Sequence, residues 1–146
     1  MIVSSHEGEE DKLLPMIKKL IAKNSNMRII IAPRHPKRST KIKSLCNSLQ
    51  IPSRLEDNNS SNSQAIVIVN SFGHLASYFE SSDIVFLGGS LISKGGHNPI
   101  EPAVHNCALI TGPFIYNWQN IYEDMFINDA CLKIQTIDDL EIKIQN

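Results

Sequence analysis

Ile84-Val85-Phe86-Leu87-Gly88-Gly89-Ser90-Leu91-Ile92-Ser93-Lys94-Gly95-Gly96-His97-Asn98-Pro99-Ile100-Glu101-Pro102-Ala103 runs from an apolar strand, through a loop with a glycine pair at each end, to a helix start. Ile84 to Leu87 is continuous, β-branched and aromatic, the pattern of a buried strand. Asn98 suits an N-cap, Pro99 the first helical position and Glu101 the third, a capping-box-like order. Capping alone explains that spacing, and a tight turn alone explains either glycine pair. Both pairs together, bracketing Ser90, Ser93 and Lys94, point to a phosphate-facing loop. Bare N–H groups, a helix N-terminus and the carboxylate of Glu101 then converge on a site for an anionic, nucleotide-linked group. The loop is neither a GxGxxG dinucleotide fingerprint nor a Walker A sequence, so neither NAD nor ATP is indicated.

The same strand-to-helix passage repeats on both sides of this stretch. Leu13, Leu14, Ile17, Leu20 and Ile21 have helical spacing, with Glu9, Glu10 and Asp11 at the start, where the dipole favours acids, and Pro15 near the first turn. Met27 to Ala32 reads as a strand, Pro33 to Pro36 as a loop, and Ile42 to Leu49 as a helix. Asp57 to Gln64 is polar and reads as exposed, Ala65 to Val69 as a strand, and Leu75 to Phe79 as a helix. After the helix from about Pro99 come a strand at Ala108 to Thr111, a helix over Tyr116 to Phe126 and a short strand at Leu132 to Ile134. There is no hairpin signal and no internal repeat. Apolar strands alternating with amphipathic helices predict an α/β fold, a Rossmann-like parallel sheet with helices on both faces. Ligands in such folds bind beyond the carboxyl ends of the strands. The loops at Ser5–Gly8, Pro33–Pro36, Asn70–Gly73 and Gly88–Asn98 are therefore expected on one sheet edge.

At 146 residues, 42% hydrophobic and 20% charged, the chain fits one globular domain. A net charge of -1 carries no basic excess that would argue for nucleic acid. Cys46, Cys107 and Cys131 form no CxxC pair and read as buried thiols. No apolar run approaches the roughly 18–20 residues of a membrane span, and no signal peptide is visible. Met1-Ile2-Val3 looks like the end of a strand, and Thr136 to Asn146 like a capped helix that stops early. The chain is thus expected to be a piece of a longer protein.

Arg34 lies between two prolines directly after a strand, where a guanidinium can clamp a phosphate or carboxylate. Its neighbours Lys37, Arg38, Lys41 and Lys43 read as a solvated helix face. His6, Glu7, Glu9 and Glu10 read as a loop entering an acidic helix start, and His35, His74, His97 and His105 have no ligand spacing, so no metal is expected. No nucleophile elbow or Ser/His/Asp arrangement is visible. A helix N-terminus contributes about 0.3–2 kcal/mol to anion binding and a charge-assisted hydrogen bond roughly 1.5–3 kcal/mol. Micromolar to millimolar nucleotide binding takes about 4–8 kcal/mol. No single motif supplies that; the loop amides, Arg34 and Glu101 together could.

The run from Gly88 to Ala103 closely resembles the signature of the 3-deoxy-D-manno-octulosonic acid (Kdo) transferases of Gram-negative bacteria. Ser5-His6-Glu7-Gly8-Glu9-Glu10, Ala32-Pro33-Arg34-His35-Pro36 and Asn70-Ser71-Phe72-Gly73 agree in order and spacing, so the likeness covers nearly the whole chain. It implies one half of a GT-B fold: residues 1–146 as the C-terminal, donor-binding domain, truncated at both ends, with the N-terminal acceptor domain absent. It implies CMP-Kdo as donor, a lipid A precursor (lipid IVA) as acceptor, and metal-independent, inverting transfer without a cofactor at the cytoplasmic side of the inner membrane. It places Arg34 on the anionic donor, Gly73 and the loop of Gly88, Gly89 and Ser90 against CMP, Asn98 at the turn and Glu101 on the ribose hydroxyls. The Asn98 helix would stabilise charge on departing CMP. It implies no catalytic residue here, because the general base belongs to the N-terminal domain, which a separate gene could encode. The family commonly has acidic residues where this chain has Asn70 and His74. Alternatives are a GT-B transferase domain using a UDP- or GDP-sugar and a non-catalytic nucleotide-binding remnant of a split gene.

Overall fold

The computed structural model describes residues 1–58, 66–73 and 75–146. Among them, the apolar runs become strands of one wholly parallel sheet: β1 (Ile2–Ser5), β2 (Ile29–Pro33), β3 (Ser53–Leu55), β4 (Ile66–Ile68), β5 (Ile84–Leu87), β6 (Ala108–Thr111) and β7 (Leu132–Lys133), in the order β3-β4-β2-β1-β5-β6-β7. The helices are α1 (Glu10–Lys23), α2 (Ser39–Ser48), α3 (Leu75–Glu80), α4 (Ile100–Ala103), α5 (Gln119–Ile127) and α6 (Ile137–Gln145), with a single 3-10 turn at Pro36–Arg38 before α2. The chain places β2 beside β1, sends β3 to the edge and fits β4 between β3 and β2, then returns to place β5 on the other side of β1. The order reverses between β1 and β5, the switch point at which open α/β sheets bind ligands.

Pleating sorts each strand's side chains onto two cores. Ile2, Ile31, Phe86 and Ile110 pack with Leu13, Leu14, Ile17, Ile42 and Leu140, under α1, α2 and α6. Val3, Ala32, Val85, Leu87 and Leu109 pack with Phe79 and Tyr122, under α3 and α5. Both faces are covered, which is why the strands read as unbroken apolar runs. Each fully buried Leu or Ile contributes about 1.5–3 kcal/mol. The three cysteines are free and buried in these cores.

Several boundaries differ from the sequence reading. β3 was not foreseen: Ser53-Arg54-Leu55 has no apolar run because it is an edge strand pairing with β4 alone. Ala65 and Asn59 to Gln64 lie outside the described residues, as does His74. Pro15 sits in the second turn of α1, since the helix begins at Glu10. α4 spans four residues, and Asn106, three residues past its end, turns into the left-handed region (φ 59°) before β6. α5 starts at Gln119, not Tyr116, because the preceding segment is tied to the glycine loop. Asn117 N–H donates to Gly95 O at 3.0 Å, Asn117 Nδ2 to Lys94 O at 2.8 Å, and Tyr116 Oη to Ser93 O at 3.0 Å. α6 has the expected cap: Thr136 Oγ1 accepts from Asp139 N–H, and the Asp139 carboxylate accepts from Thr136 N–H.

Candidate functional site: a cleft at the switch point

A cleft of about 340 Å³ opens at the carboxyl ends of β4, β2, β1 and β5. Three of the loops expected there supply walls, through Pro33, Arg34 and Pro36, Ser71 to Gly73, and His97 and Asn98; from β1 it is Ser4, not the Ser5–Gly8 loop, that lines the cleft. Gly88 allows the central strands to meet beneath it. A Cβ at Gly88 would lie 2.6 Å from Ser4 C and O and 2.7 Å from Ser5 Cα, all backbone. Ser4 itself takes φ 57° where the β1–β2 register shifts, a left-handed conformation that costs an L-residue about 1–2 kcal/mol.

Arg34, Gly73, Asn98 and Glu101 all line this cleft. The Arg34 backbone is fixed by its N–H donating to Ser5 O at 2.9 Å. Its guanidinium is exposed and, among the described residues, has no hydrogen-bond or ion-pair partner. Asn98 Oδ1 accepts from Ile100 N–H at 2.9 Å, so Asn98 does cap the turn. Glu101 does not complete a capping box. Its carboxylate is exposed and likewise has no partner among the described residues. Arg34 and Glu101 thus present opposite charges, both uncommitted, to one cavity. Gly73 holds φ +88° on the β4 loop with open space around it.

Gly88, Gly89 and Ser90 do not line the cleft, and their amides are not free to bind a ligand. Gly88 N–H donates to Val3 O at 2.8 Å. Gly89, Ser90 and Leu91 N–H all donate to the carboxylate of Glu9, at 2.8, 3.1 and 3.0 Å, and His6 N–H donates to it at 2.9 Å. Glu9 is fully buried. It fills the anion-binding nest that the glycine loop forms. Ser90 is buried too; its Oγ accepts from Gly112 N–H at 2.8 Å and ties the loop to the segment after β6. The four-residue α4 also lacks the length for a full macrodipole.

The sequence reading missed several residues that shape the site. Glu9 and Glu10 were assigned to the helix dipole, yet both are buried. The signal was present: at helical spacing they fall on the stripe of Leu13 and Leu14, and a carboxylate there needs a partner. Glu10 finds Arg38 in a bidentate pair (2.8 and 3.2 Å) and Ser5 Oγ (2.8 Å), fixing the β2 loop against β1. His6 and His97 meet Nε2 to Nε2 at 2.8 Å, with rings stacked 5.0 Å apart. His97 is pushed down to about 4 by burial first, then by His6, Arg34 and His35. Burial likewise lowers His6, helped by Lys94, His35 and Arg34 against the opposing Glu10. Glu56, after β3, accepts from Ser71 Oγ and Tyr78 Oη, each at 2.6 Å. Burial first, then the bond to Glu56 and its negative charge, push the Tyr78 hydroxyl up to about 12. The loop that carries Asn70 therefore receives a carboxylate from the segment after β3, with Asn70 N–H 3.4 Å from it.

No family model matches the chain. It is 31% identical to the 3-deoxy-D-manno-octulosonic acid transferase of Haemophilus influenzae, over 97% of this chain and 34% of that protein. It is 32% identical to the transferase of the same name from Rickettsia felis, over 99% of this chain and 31% of that one. The chain spans about a third of the length of these curated relatives. Its fold matches the crystal structure of the C-terminal CMP-Kdo binding domain of WaaA from Acinetobacter baumannii, with a TM-score of 0.91 and 29% identity over 98% of this chain and 75% of that one. The chain is homologous to these Kdo transferases over about a third of their length and shares the fold of that C-terminal domain. The expected Rossmann-like half of that family's architecture is thereby borne out. Among the described residues no helix is long and apolar enough to cross a membrane.

Proposed function

We propose that this chain is the domain that binds CMP-Kdo in a Kdo transferase of lipopolysaccharide assembly. The carrying observation is the pairing of two uncommitted charges, Arg34 and Glu101, in a cleft at the switch point of a fold shared with a CMP-Kdo binding domain. A volume of about 340 Å³ suits a nucleotide. Arg34 makes charge-assisted hydrogen bonds to the donor's anionic group and holds them as charge grows on departing CMP. Glu101 accepts from the two ribose hydroxyls. Asn98 sets the turn that aims Glu101, and Gly73 leaves the β4 wall open to the nucleotide. Gly88, Gly89 and Ser90 act at one remove, as the floor that Glu9 holds rigid.

The acceptor, a lipid A precursor, and the general base of an inverting, metal-independent transfer belong on this reading to an N-terminal domain outside these 146 residues. That domain would bring the enzyme to the cytoplasmic face of the inner membrane. The isolated chain accordingly binds donor without turnover; transfer of labelled Kdo to lipid A precursor by this chain alone would contradict the placement of the base.

The test is calorimetric titration of the folded chain with CMP, UDP and GDP. CMP is expected to bind at least about tenfold more tightly, a difference of about 1.4 kcal/mol. Tighter UDP or GDP binding would reassign the site to another sugar nucleotide, and no binding by a folded chain would overturn the donor reading.

A further inference from the structure

We infer that the His6–His97 pair is a proton-linked subsite for an anionic oxygen of the donor, neutral in the empty cleft and singly protonated when the donor is bound. The inference rests on the donor reading above and adds to it the residues that carry a second positive charge. Geometry comes first. The two Nε2 atoms lie 2.8 Å apart, so one ring must donate and the other accept. A single extra proton on the pair keeps that bond as an imidazolium–imidazole contact; two extra protons would set N–H against N–H. His97 lines the cleft beside Asn98 and Glu101, while His6 stands behind it on the β1 loop, its ring 6.1 Å from that of His35.

The charges around the pair explain why it waits for an anion. Arg34 and His35 face it from the β2 loop and Lys94 from the glycine loop, and all disfavour a further positive charge. The nearby acids are engaged elsewhere: Glu7 pairs with Lys41, Glu9 with loop amides, and Glu10 with Arg38. Glu101, from α4, is the uncommitted acid of the cleft. A ligand anion entering beside Arg34 offsets the positive surroundings and lets the pair take up one proton. An opposite charge at contact moves a titrating group by roughly 1–3 pH units. Held at about 4 in the empty site, His97 becomes more basic when donor is bound. Because the group is more basic in the complex, affinity rises as pH falls through the bound value. Binding is then ~4-fold tighter at pH 5.5 than at pH 7.5 for a rise of ~2 pH units.

The anionic oxygen could come from the donor's phosphate or from its sugar carboxylate, and two ligands separate these. CMP methyl ester carries one phosphodiester charge and no phosphate group that titrates in this range. CMP-Kdo carries the phosphodiester and the carboxylate. Each is titrated into the chain between pH 5.5 and 7.5 in buffers of different ionisation enthalpy, with neutral cytidine as control, while the His6 and His97 C2 protons are followed by NMR with and without ligand. The expected result is fractional proton uptake that grows as pH falls, with a rise in the NMR titration midpoint of the pair and none with cytidine. Uptake with both ligands places the phosphate at the pair; uptake with CMP-Kdo alone places the carboxylate there. H97Q and H6Q are each expected to flatten the pH dependence. Tight binding with no proton uptake and unmoved histidine midpoints would overturn the subsite while leaving the donor reading intact. No binding by either ligand would overturn both.

Discussion

Replacing Glu9 with Gln tests whether one buried carboxylate organises the glycine loop. Oε2 accepts from His6 N–H at 2.9 Å and Gly89 N–H at 2.8 Å, and Oε1 from Ser90 N–H at 3.1 Å and Leu91 N–H at 3.0 Å. Glu9→Gln keeps the shape, but whichever oxygen becomes NH2 then faces two N–H donors. Each buried group left unpaired costs roughly 1–3 kcal/mol, so two orphaned amides cost about 2–6 kcal/mol. That is a large share of the 5–15 kcal/mol that holds a typical domain together. Urea unfolding followed by circular dichroism measures it. A loss below about 1 kcal/mol would refute the reasoning. Glu9→Ala leaves the same amides around an empty anion nest, so sulfate should restore more stability to this variant than it adds to the parent chain. Equal gains would mean that the nest does not persist without its carboxylate.

Further outcomes follow from the same geometry. Gly88→Ala forces a methyl within 2.6 Å of the Ser4 backbone and must part β1 from β5; a loss of about 1–3 kcal/mol or more is expected in thermal melts. Arg34→Ala and Glu101→Ala each remove a charge-assisted contact to the donor, so affinity should fall roughly 10- to 150-fold for 1.5–3 kcal/mol. Stability should change by less than about 0.5 kcal/mol, since neither side chain has a partner among the described residues; unchanged affinity in both variants would remove their assignment. His97 is held near 4 in the fold, below the ordinary 6.5, so the fold favours the neutral ring. Its contribution to stability is present above pH 6.5 and is lost as pH falls toward 4. Urea midpoints between pH 7 and about 4.5 should therefore fall more steeply for the parent chain than for His97→Gln, and parallel slopes would contradict the shift.

Much of the fold was legible because its strands are buried on both faces. Ile29 to Ala32 and Ile84 to Leu87 could be read as strands from apolar continuity alone. β3 could not, because Ser53 and Arg54 on a sheet edge carry no such pattern. The cleft lining was legible where a residue stands directly after a strand, as Arg34 does, or follows a proline-marked turn, as Glu101 does. The glycine loop was located correctly, but the partner of its amides was not. Sequence spacing shows that N–H groups are bare; it does not show that Glu9, some 80 positions away in the chain, fills them. The His6–His97 contact spans 91 positions and follows only from β1 lying beside β5. The left-handed turn at Asn106 that leads from α4 into β6 is one an asparagine permits without requiring.

A crystal structure of the chain with CMP bound would locate the nucleotide. The ribose hydroxyls are expected on the Glu101 carboxylate and the phosphate within reach of the Arg34 guanidinium, with the amides of Gly89, Ser90 and Leu91 still on Glu9. A phosphate seated on those amides with Glu9 displaced, or CMP bound away from the switch point, would overturn this placement.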